Sequence, residues 1–533
     1  MTDSTDRTAP ATDRRRFLAG SGAALAGLGL AGCQTTPPAA SAEPASHRPK
    51  KGDLFALGVA SGEPTPESVV LWTRLAPDPL AGGGMSPVRV AVRWEIAEDE
   101  AMQRVVRKGG AVATPEWAHS LHVEVRGLVP GRWYWYRFTA RGETSPVGRT
   151  RTAPAAAANP ETIRFAAVSC QDFQNGYYSA YRHLARENLD FVLHLGDYIY
   201  EYPGRDGRVR KHLGSETVSL ADYRNRYAQY RTDPDLQAAH AAFPWLTVWD
   251  DHEVENDYAT DKSEKQTPRA EFLRRRAAAY RAYFEHMPLP PSLAPQASGL
   301  PLYRRRGFGT LIDLFLLDGR QYRSDQACPG PRFGGQVVNP EKCAELADPR
   351  RSMLGGTQER WLYQGLARTR GRWTVIGQQM LMSSLIQPMT DGTPGVWTDG
   401  WDGYPAARNR FAERLLATKA PNPIVLSGDI HSFWVADFKS DFRDPRAPAV
   451  ASEFVGTSIS SGRVPQILID ADLKLPHIKF ADSRWHGYLR CTVTPSLWRT
   501  DLQTVDTVAR PEATQATLRS FAVEAGRPGP QAA

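Results

Sequence analysis

Between Leu54 and about Thr152 the chain alternates apolar and polar positions. Val88, Val90, Val92, Trp94 and Ile96 are separated by residues that include Arg89, Arg93 and Glu95, and Tyr134, Tyr136 and Phe138 repeat the pattern. A period of two is that of a half-buried antiparallel sheet. The runs SVVLWTRL, VRVAVRWEIA, HSLHVEVRGL and RWYWYRFTA, divided by turn signals, predict a β-sandwich over 52–153. APAAAANP, Ala153 to Pro160, reads as the linker that follows.

Beyond the linker the apolar positions become continuous. Arg164 to Val168, Phe191 to Leu195 and Trp245 to Trp249 predict buried strands, with helices over Tyr177–Asn188 and Arg269–His286 between and after them. Leu311–Leu317, Trp373–Gly377 and Ile424–Ser427 are further apolar runs. Strands alternating with helices, without a repeat of 20 to 50 residues, predict a layered α/β domain over 160–515. Within the sandwich, Gly127 to Tyr134 resembles the corner that precedes a late strand in fibronectin-like sandwiches.

The polar residues that end these strands change the picture. Ser169-Cys170-Gln171-Asp172, Gly196-Asp197-Tyr198-Ile199-Tyr200 and Asp250-Asp251-His252-Glu253 follow the first three. Gly377-Gln378-Gln379 and Gly428-Asp429-Ile430-His431 follow two later ones. Singly, each is weak: an Asp after Gly is often a helix N-cap, a lone His is often a satisfied core imidazole, and Tyr200 would ordinarily pack in the core. Glu253, Glu255 and Asp257 read as supporting or solvated acids rather than ligands. Together the ends bring thiolate, phenolate, carboxylate and imidazole to the carboxyl edge of a sheet, which points to a metal centre. VWDDHEVEND gathers five carboxylates around His252, and their mutual repulsion calls for cations among them.

Charge and cysteine usage add compartment and exclude little. The formal charge is +7 over 533 residues, and Arg greatly outnumbers Lys. That balance suits anionic substrates without indicating a specific nucleic-acid partner. Arg14-Arg15-Arg16-Phe17-Leu18 precedes a small apolar stretch, Ala19 to Gly32, as in a twin-arginine export signal. Leu30-Ala31-Gly32-Cys33 resembles a lipoprotein cleavage box, so 1–33 reads as signal, with Cys33 the lipidated residue, and 34–51 as a flexible tether. This predicts a periplasmic or cell-surface protein that touches the membrane only through that lipid. In an oxidising compartment Cys328 and Cys343 are expected to staple the loop between them. Cys170 and Cys491 either pair as well, or Cys170 stays reduced for metal ligation.

GDYIYEY, WDDHEVEND, LDGRQYRSDQ, WDGYPAAR and SGDIHSFW, with LFALGVASGEPTPESVVLWTRL before them, closely resemble the PhoD-type alkaline phosphatases, from about residue 52 to 510. These are relatives of the calcineurin-like and purple acid phosphatases. The resemblance implies a four-layer αββα metallophosphoesterase core preceded by an all-β, fibronectin III-like sandwich, and a monomer. It implies Fe³⁺ held by Cys170, Asp197, Tyr200 and His431. It further implies Ca²⁺ with Asp197 as bridge and Asp251, Asn256 and Asp429 as candidate ligands, all oxygen donors of the kind a hard cation takes. A second Ca²⁺ is implied without an assignable ligand set. Two departures from the wider superfamily remove nitrogen donors: Cys170 stands near its opening DxH, and Gln378 or Gln379 replaces its mid-sequence His. Both point away from zinc or manganese pairs.

The implied reaction is hydrolysis of a phosphate mono- or diester by hydroxide held between two cations, releasing phosphate. His252 is expected to stabilise charge or protonate the leaving oxygen, and Arg269 to clamp the phosphate. Three other readings stand beside it: a phospholipase D-like phosphodiesterase of lipid or polymer diesters, a surface-binding lipoprotein with an inert catalytic domain, and a redox protein.

Overall fold

A computed structural model describes residues 52–533 except 297–298, 331–333 and 390. The predicted signal, Cys33 and the tether lie outside the described residues. The alternating region forms β1 (Val59–Gly62), β2 (Ser68–Arg74), β3 (Val90–Ala97), β4 (Val105–Ala113), β5 (Ser120–Arg126), β6 (Trp133–Ala140), β7 (Glu143–Thr144) and β8 (Gly148–Arg151). In β6 Tyr134, Tyr136, Phe138 and Ala140 are buried and the residues between them are not. The Tyr134 hydroxyl accepts a hydrogen bond from Val129 N at 2.9 Å, which closes the corner read from the sequence. β4, VVRKGGAVA, escaped sequence reading because it is mostly exposed and carries two glycines. Val88 falls outside β3 and is exposed.

The second half begins with β9 (Ile163–Val168), α1 (Ser179–Leu184), β10 (Phe191–His194), α2 (Leu220–Arg231), α3 (Pro234–Ala242), β11 (Pro244–Thr247) and α4 (Arg269–His286). It continues with β12 (Arg304–Phe308), β13 (Ile312–Leu316), β14 (Val337–Val338), α5 (Gly355–Leu366), β15 (Trp373–Gly377), β16 (Gln387–Pro388), β17 (Pro394–Trp397), α6 (Pro405–Thr418) and β18 (Pro423–Ser427). The last strands are β19 (Phe433–Lys439), β20 (Ala449–Val455), β21 (Ile478–Asp482), β22 (His486–Val493), β23 (Leu497–Val505), β24 (Gln515–Glu524) and β25 (Gln531–Ala532).

Two large sheets organise the fold. One runs β25-β24-β23-β22-β9-β10-β11-β1-β2-β5, the other β12-β13-β15-β18-β20-β19-β21. Their centres are parallel, β9 to β11 in the first and β13, β15, β18 and β20 in the second. They share one apolar core, in which Phe191 of β10 stacks on Phe308 of β12 at 4.4 Å between ring centroids. On the far side of the second sheet, Phe315, Ile376 and Val425 pack with Leu362 of α5 and Phe411 of α6.

Sheet continuity departs from the expected punctuation. β1 pairs parallel with β11, so one face of the sandwich is an extension of the first large sheet. Its other sheet is β4-β3-β6-β7, with β8 on β6.

Candidate active site

The chain turns sharply where β9, β10, β11 and β18 end. Cys170, Asp197, Asp429 and His431 hold left-handed φ values of 60°, 57°, 65° and 55°. Such values cost a non-glycine residue of order 1–3 kcal/mol and persist where surrounding structure enforces them. The glycines of both GD pairs serve close approach. A Cβ on Gly196 would lie 2.5 Å from Asp250 Cβ at φ 113°, and one on Gly428 would lie 2.3 Å from Ser169 Oγ. Asp197 does not cap a helix, since no helix starts there.

These turns bring donors from distant segments together. Ligand atoms of Cys170, Asp197 and His431 lie within 4.8 Å of one another, as do those of Asp197, Asp251 and His252, and those of Asp250, Asp251 and Asp429. Tyr200 Oη donates to Asp197 Oδ2 at 2.9 Å and lies 3.2 Å from His431 Nε2. His431 Nδ1 lies 2.6 Å from Gly462 O, a carbonyl that can only accept, so the proton sits on Nδ1 and the Nε2 lone pair faces the cluster. Asn256 lines the same cavity, and its backbone N donates to Glu201 Oε1 at 2.9 Å. Cys170 and Cys491 are both buried free thiols, while Cys328 and Cys343 form a disulfide.

Several acids of the WDDHEVEND loop are already answered by protein groups. Glu253 accepts from the backbone N of Asp197, Tyr198 and Asp250 and so holds two strand ends together. Glu255 pairs with Arg275 and accepts from Ser263 Oγ at 2.7 Å. Asp250 takes the Nε of the fully buried Arg320, which also binds Asp399 at 2.9 Å and lies 3.6 Å from Asp251. The cations that the loop calls for are thus in part the protein's own: Arg320 and Arg275 supply some of the charge. Arg320 lies within the motif LDGRQYRSDQ, but nothing in the sequence reveals what it meets.

His252 lies inside the group, with Nδ1 2.8 Å from Glu201 Oε2 and its ring 4.1 Å from that of Tyr200. Burial disfavours its charge, yet Glu201, Asp251 and Asp197 outweigh burial and hold its pKa well above the usual range. Arg269 is placed elsewhere. Its guanidinium is largely exposed and pairs with Asp261, and it does not line the cavity. The physical reason is register, since Arg269 starts α4 on its exposed face whereas Arg275, six residues on and so about a third of a turn round the helix, points inward. Gln378 and Gln379 are consumed in scaffolding: Gln378 donates to Ser427 Oγ at 2.6 Å and accepts from Trp401 Nε1 at 3.0 Å. Gln379 accepts from Gly319 N and donates to Leu317 O.

The cluster opens on a cavity of about 290 Å³ lined by Asp197, Tyr200, His252, Asp429 and His431, with Arg205 and Arg208 also on its wall. Burial, followed by the Asp197 carboxylate, pushes the Cys170 thiol and the Tyr200 phenol well above their usual range, and burial does the same for Asp197. Asp197 Oδ1 is buried with no hydrogen-bond partner among the described residues. A cation placed among these donors would reverse every one of those shifts, so the residues present fit metal ions.

Donors of this kind at the carboxyl ends of the parallel strands of two sheets that share a core, with a cavity reaching them, define the class of metal-centred phosphoester hydrolases. The chain matches the PhoD-like phosphatase family over residues 165–502 and the N-terminal domain of PhoD-like phosphatases over residues 39–154. It is 45% identical over 527 residues to alkaline phosphatase D of Bacillus subtilis (strain 168), covering 97% of this chain and 88% of that protein. A solved structure of PhoD superposes with a TM-score of 0.85 at 44% identity, over 91% of this chain and 93% of that one. The chain belongs to the PhoD-like phosphatase family and is a phosphoesterase acting on phosphate esters.

Proposed function

We propose that Cys170, Asp197, Tyr200 and His431 hold Fe³⁺, and that Asp197, Asp251, Asn256 and Asp429 hold Ca²⁺ beside it. The observation that carries this reading is the convergence of Cys170, Asp197 and His431 within 4.8 Å, with Tyr200 Oη between the last two. Thiolate and phenolate suit a trivalent ion, because anionic donors offset its charge. When bound, the ions supply positive charge and Lewis acidity at the phosphoryl oxygens.

The protein's own groups do the rest. Glu201 fixes His252 by accepting from Nδ1, which leaves Nε2 turned away from Glu201 to meet the leaving oxygen. Tyr200 and Ser461, the latter donating to Tyr200 Oη at 2.7 Å, orient the inner wall. We further read the core as four layers, helix, sheet, sheet and helix, a reading that the opposed sheets and the packing of α5 and α6 support. Export by residues 14–33 and a lipid on Cys33 complete the proposal, with the chain acting as a monomer.

The test is elemental analysis and a visible spectrum on natively exported protein. Bound iron should give a charge-transfer band that Tyr200→Phe or Cys170→Ser abolishes. Colourless, iron-free protein with undiminished phosphatase activity would sink the iron assignment.

A further inference from the structure

The loop between β10 and α2 carries three arginines, and they differ in what they meet. Arg210 is spent on the fold: it bonds Phe173 O, Gly176 O and Asp233 and lies 3.7 Å over the Phe173 ring. Arg208 lines the active-site cavity and donates to Asn175 Oδ1 at 3.1 Å. Arg205 lines the same cavity, and its guanidinium meets no carboxylate among the described residues; it lies 5.4 Å over the Tyr202 ring.

The loop is anchored where it matters. Arg205 N donates to Gln174 Oε1 at 2.8 Å, and Gln174 is tied by its own N to Asp172 Oδ1 at 2.9 Å, on the segment that follows Cys170. Three contacts in series locate Arg205 relative to the donors. Tyr200 stacks with His252 at 4.1 Å, His252 meets Tyr202 at 5.2 Å, and Tyr202 meets Arg205 at 5.4 Å. Arg205 therefore joins the wall on the far side of the Tyr202 ring from His252, beside the donor cluster and not among its ligand atoms. Two acids that also line the cavity are engaged: Asp257 Oδ2 accepts from Gly335 N at 2.8 Å, and Asp172 Oδ1 accepts from Gln174 N at 2.9 Å.

A guanidinium without a carboxylate partner, stacked on a ring and facing a reaction cavity, is a ready receptor for an oxyanion. We infer that Arg205, assisted by Arg208, binds a second anionic group of the substrate, so that the preferred esters carry another phosphate or carboxylate on the leaving-group side. This rests on the phosphoesterase reading above and narrows its substrate class.

The test compares alkanediol bisphosphates of three to six carbons with the monophosphates of the same diols, by phosphate release from the full chain. For the best-fitting length, kcat/KM should favour the bisphosphate about tenfold. Raising salt should shrink the preference. Arg205→Gln should bring the ratio down to the statistical factor for two identical phosphates, through KM rather than kcat, and Arg205→Lys should restore part of it. The inference is overturned if no bisphosphate is preferred by the unmodified protein, or if Arg205→Gln lowers kcat/KM for both esters in equal proportion. Failure of the unmodified, metal-loaded protein to hydrolyse any of these esters would instead count against the phosphoesterase reading.

Discussion

Glu201 serves two neighbours at once. One carboxylate oxygen accepts from His252 Nδ1 and the other from Asn256 N, so a single side chain aligns the proposed acid and a candidate ligand. Its own pKa stays below the usual range because His252 and then Arg275 outweigh its burial. Glu201→Gln removes the carboxylate charge facing His252 Nδ1 while keeping the shape. We expect kcat to fall by about 10- to 100-fold with KM changed less than about threefold, read from phosphate release from an alkyl phosphate, whose leaving alkoxide needs a proton. A loss carried by KM alone would refute the positioning role. Candidate donors were legible at this scale, because Cys170, Asp197, Asp251, Asp429 and His431 each stand at or near the end of an apolar run. Glu201 and Arg320 were not, since their partners lie 51 and 70 residues away in the chain. Arg269 was misjudged because helix phase, rather than proximity to the acidic loop, decides which arginine of α4 turns inward.

At the scale of elements, the joint between sandwich and core rests on β1 and its following turn. Glu63, left-handed at φ 51°, receives Arg304 Nε at 2.9 Å and Arg306 Nη2 at 2.5 Å, and it is almost fully buried. Burial would raise its pKa, but the two guanidinium groups outweigh burial and hold it below the ordinary value. A depressed carboxylate contributes stability above the unfolded-state pKa of about 4.3 and loses that contribution as pH falls through its lower folded value. Glu63→Gln should therefore destabilise the protein by about 3 kcal/mol at neutral pH, and the deficit should close on acidification through that window. Urea unfolding at several pH values checks both parts, and a deficit independent of pH would contradict the linkage. Strands with strict alternation or continuous apolar runs could be read from the sequence, whereas α2, α3, α5 and α6 were passed over. α2 shows why: beside Tyr223 and Tyr227 it buries Arg226, Gln229 and Arg231, so its inward face is not an apolar stripe.

Across the whole molecule the two parts behave as one body. Beyond the β1–β11 pairing, Trp72 Nε1 donates to Glu285 O at 3.0 Å, the Arg231 guanidinium lies 4.1 Å over the Trp72 ring, and Gln237 donates to Ala56 O. Cutting the chain at 160 would bare the hydrogen-bonding edge of β11 and the apolar surface beneath Trp72. We expect residues 160–533 expressed alone to be insoluble or to lack a cooperative unfolding transition, whereas the uncut chain shows one. Solubility and circular dichroism decide it; a soluble, active fragment would show that the joint is dispensable. Local structure and inventory could be read along the chain: which stretches are strands, which cysteines staple a loop, and which donors end each buried run. Those follow from side-chain periodicity and residue chemistry, which act over a few residues. It took the folded arrangement to make the sandwich sheet and the catalytic sheet one, to set Arg320 and Arg275 against acids of the WDDHEVEND loop, and to bring Arg205 rather than Arg269 to the cavity. Each of those depends on which distant groups the low-dielectric interior forces together, and charge balance in that interior is settled by contact, not by order along the chain.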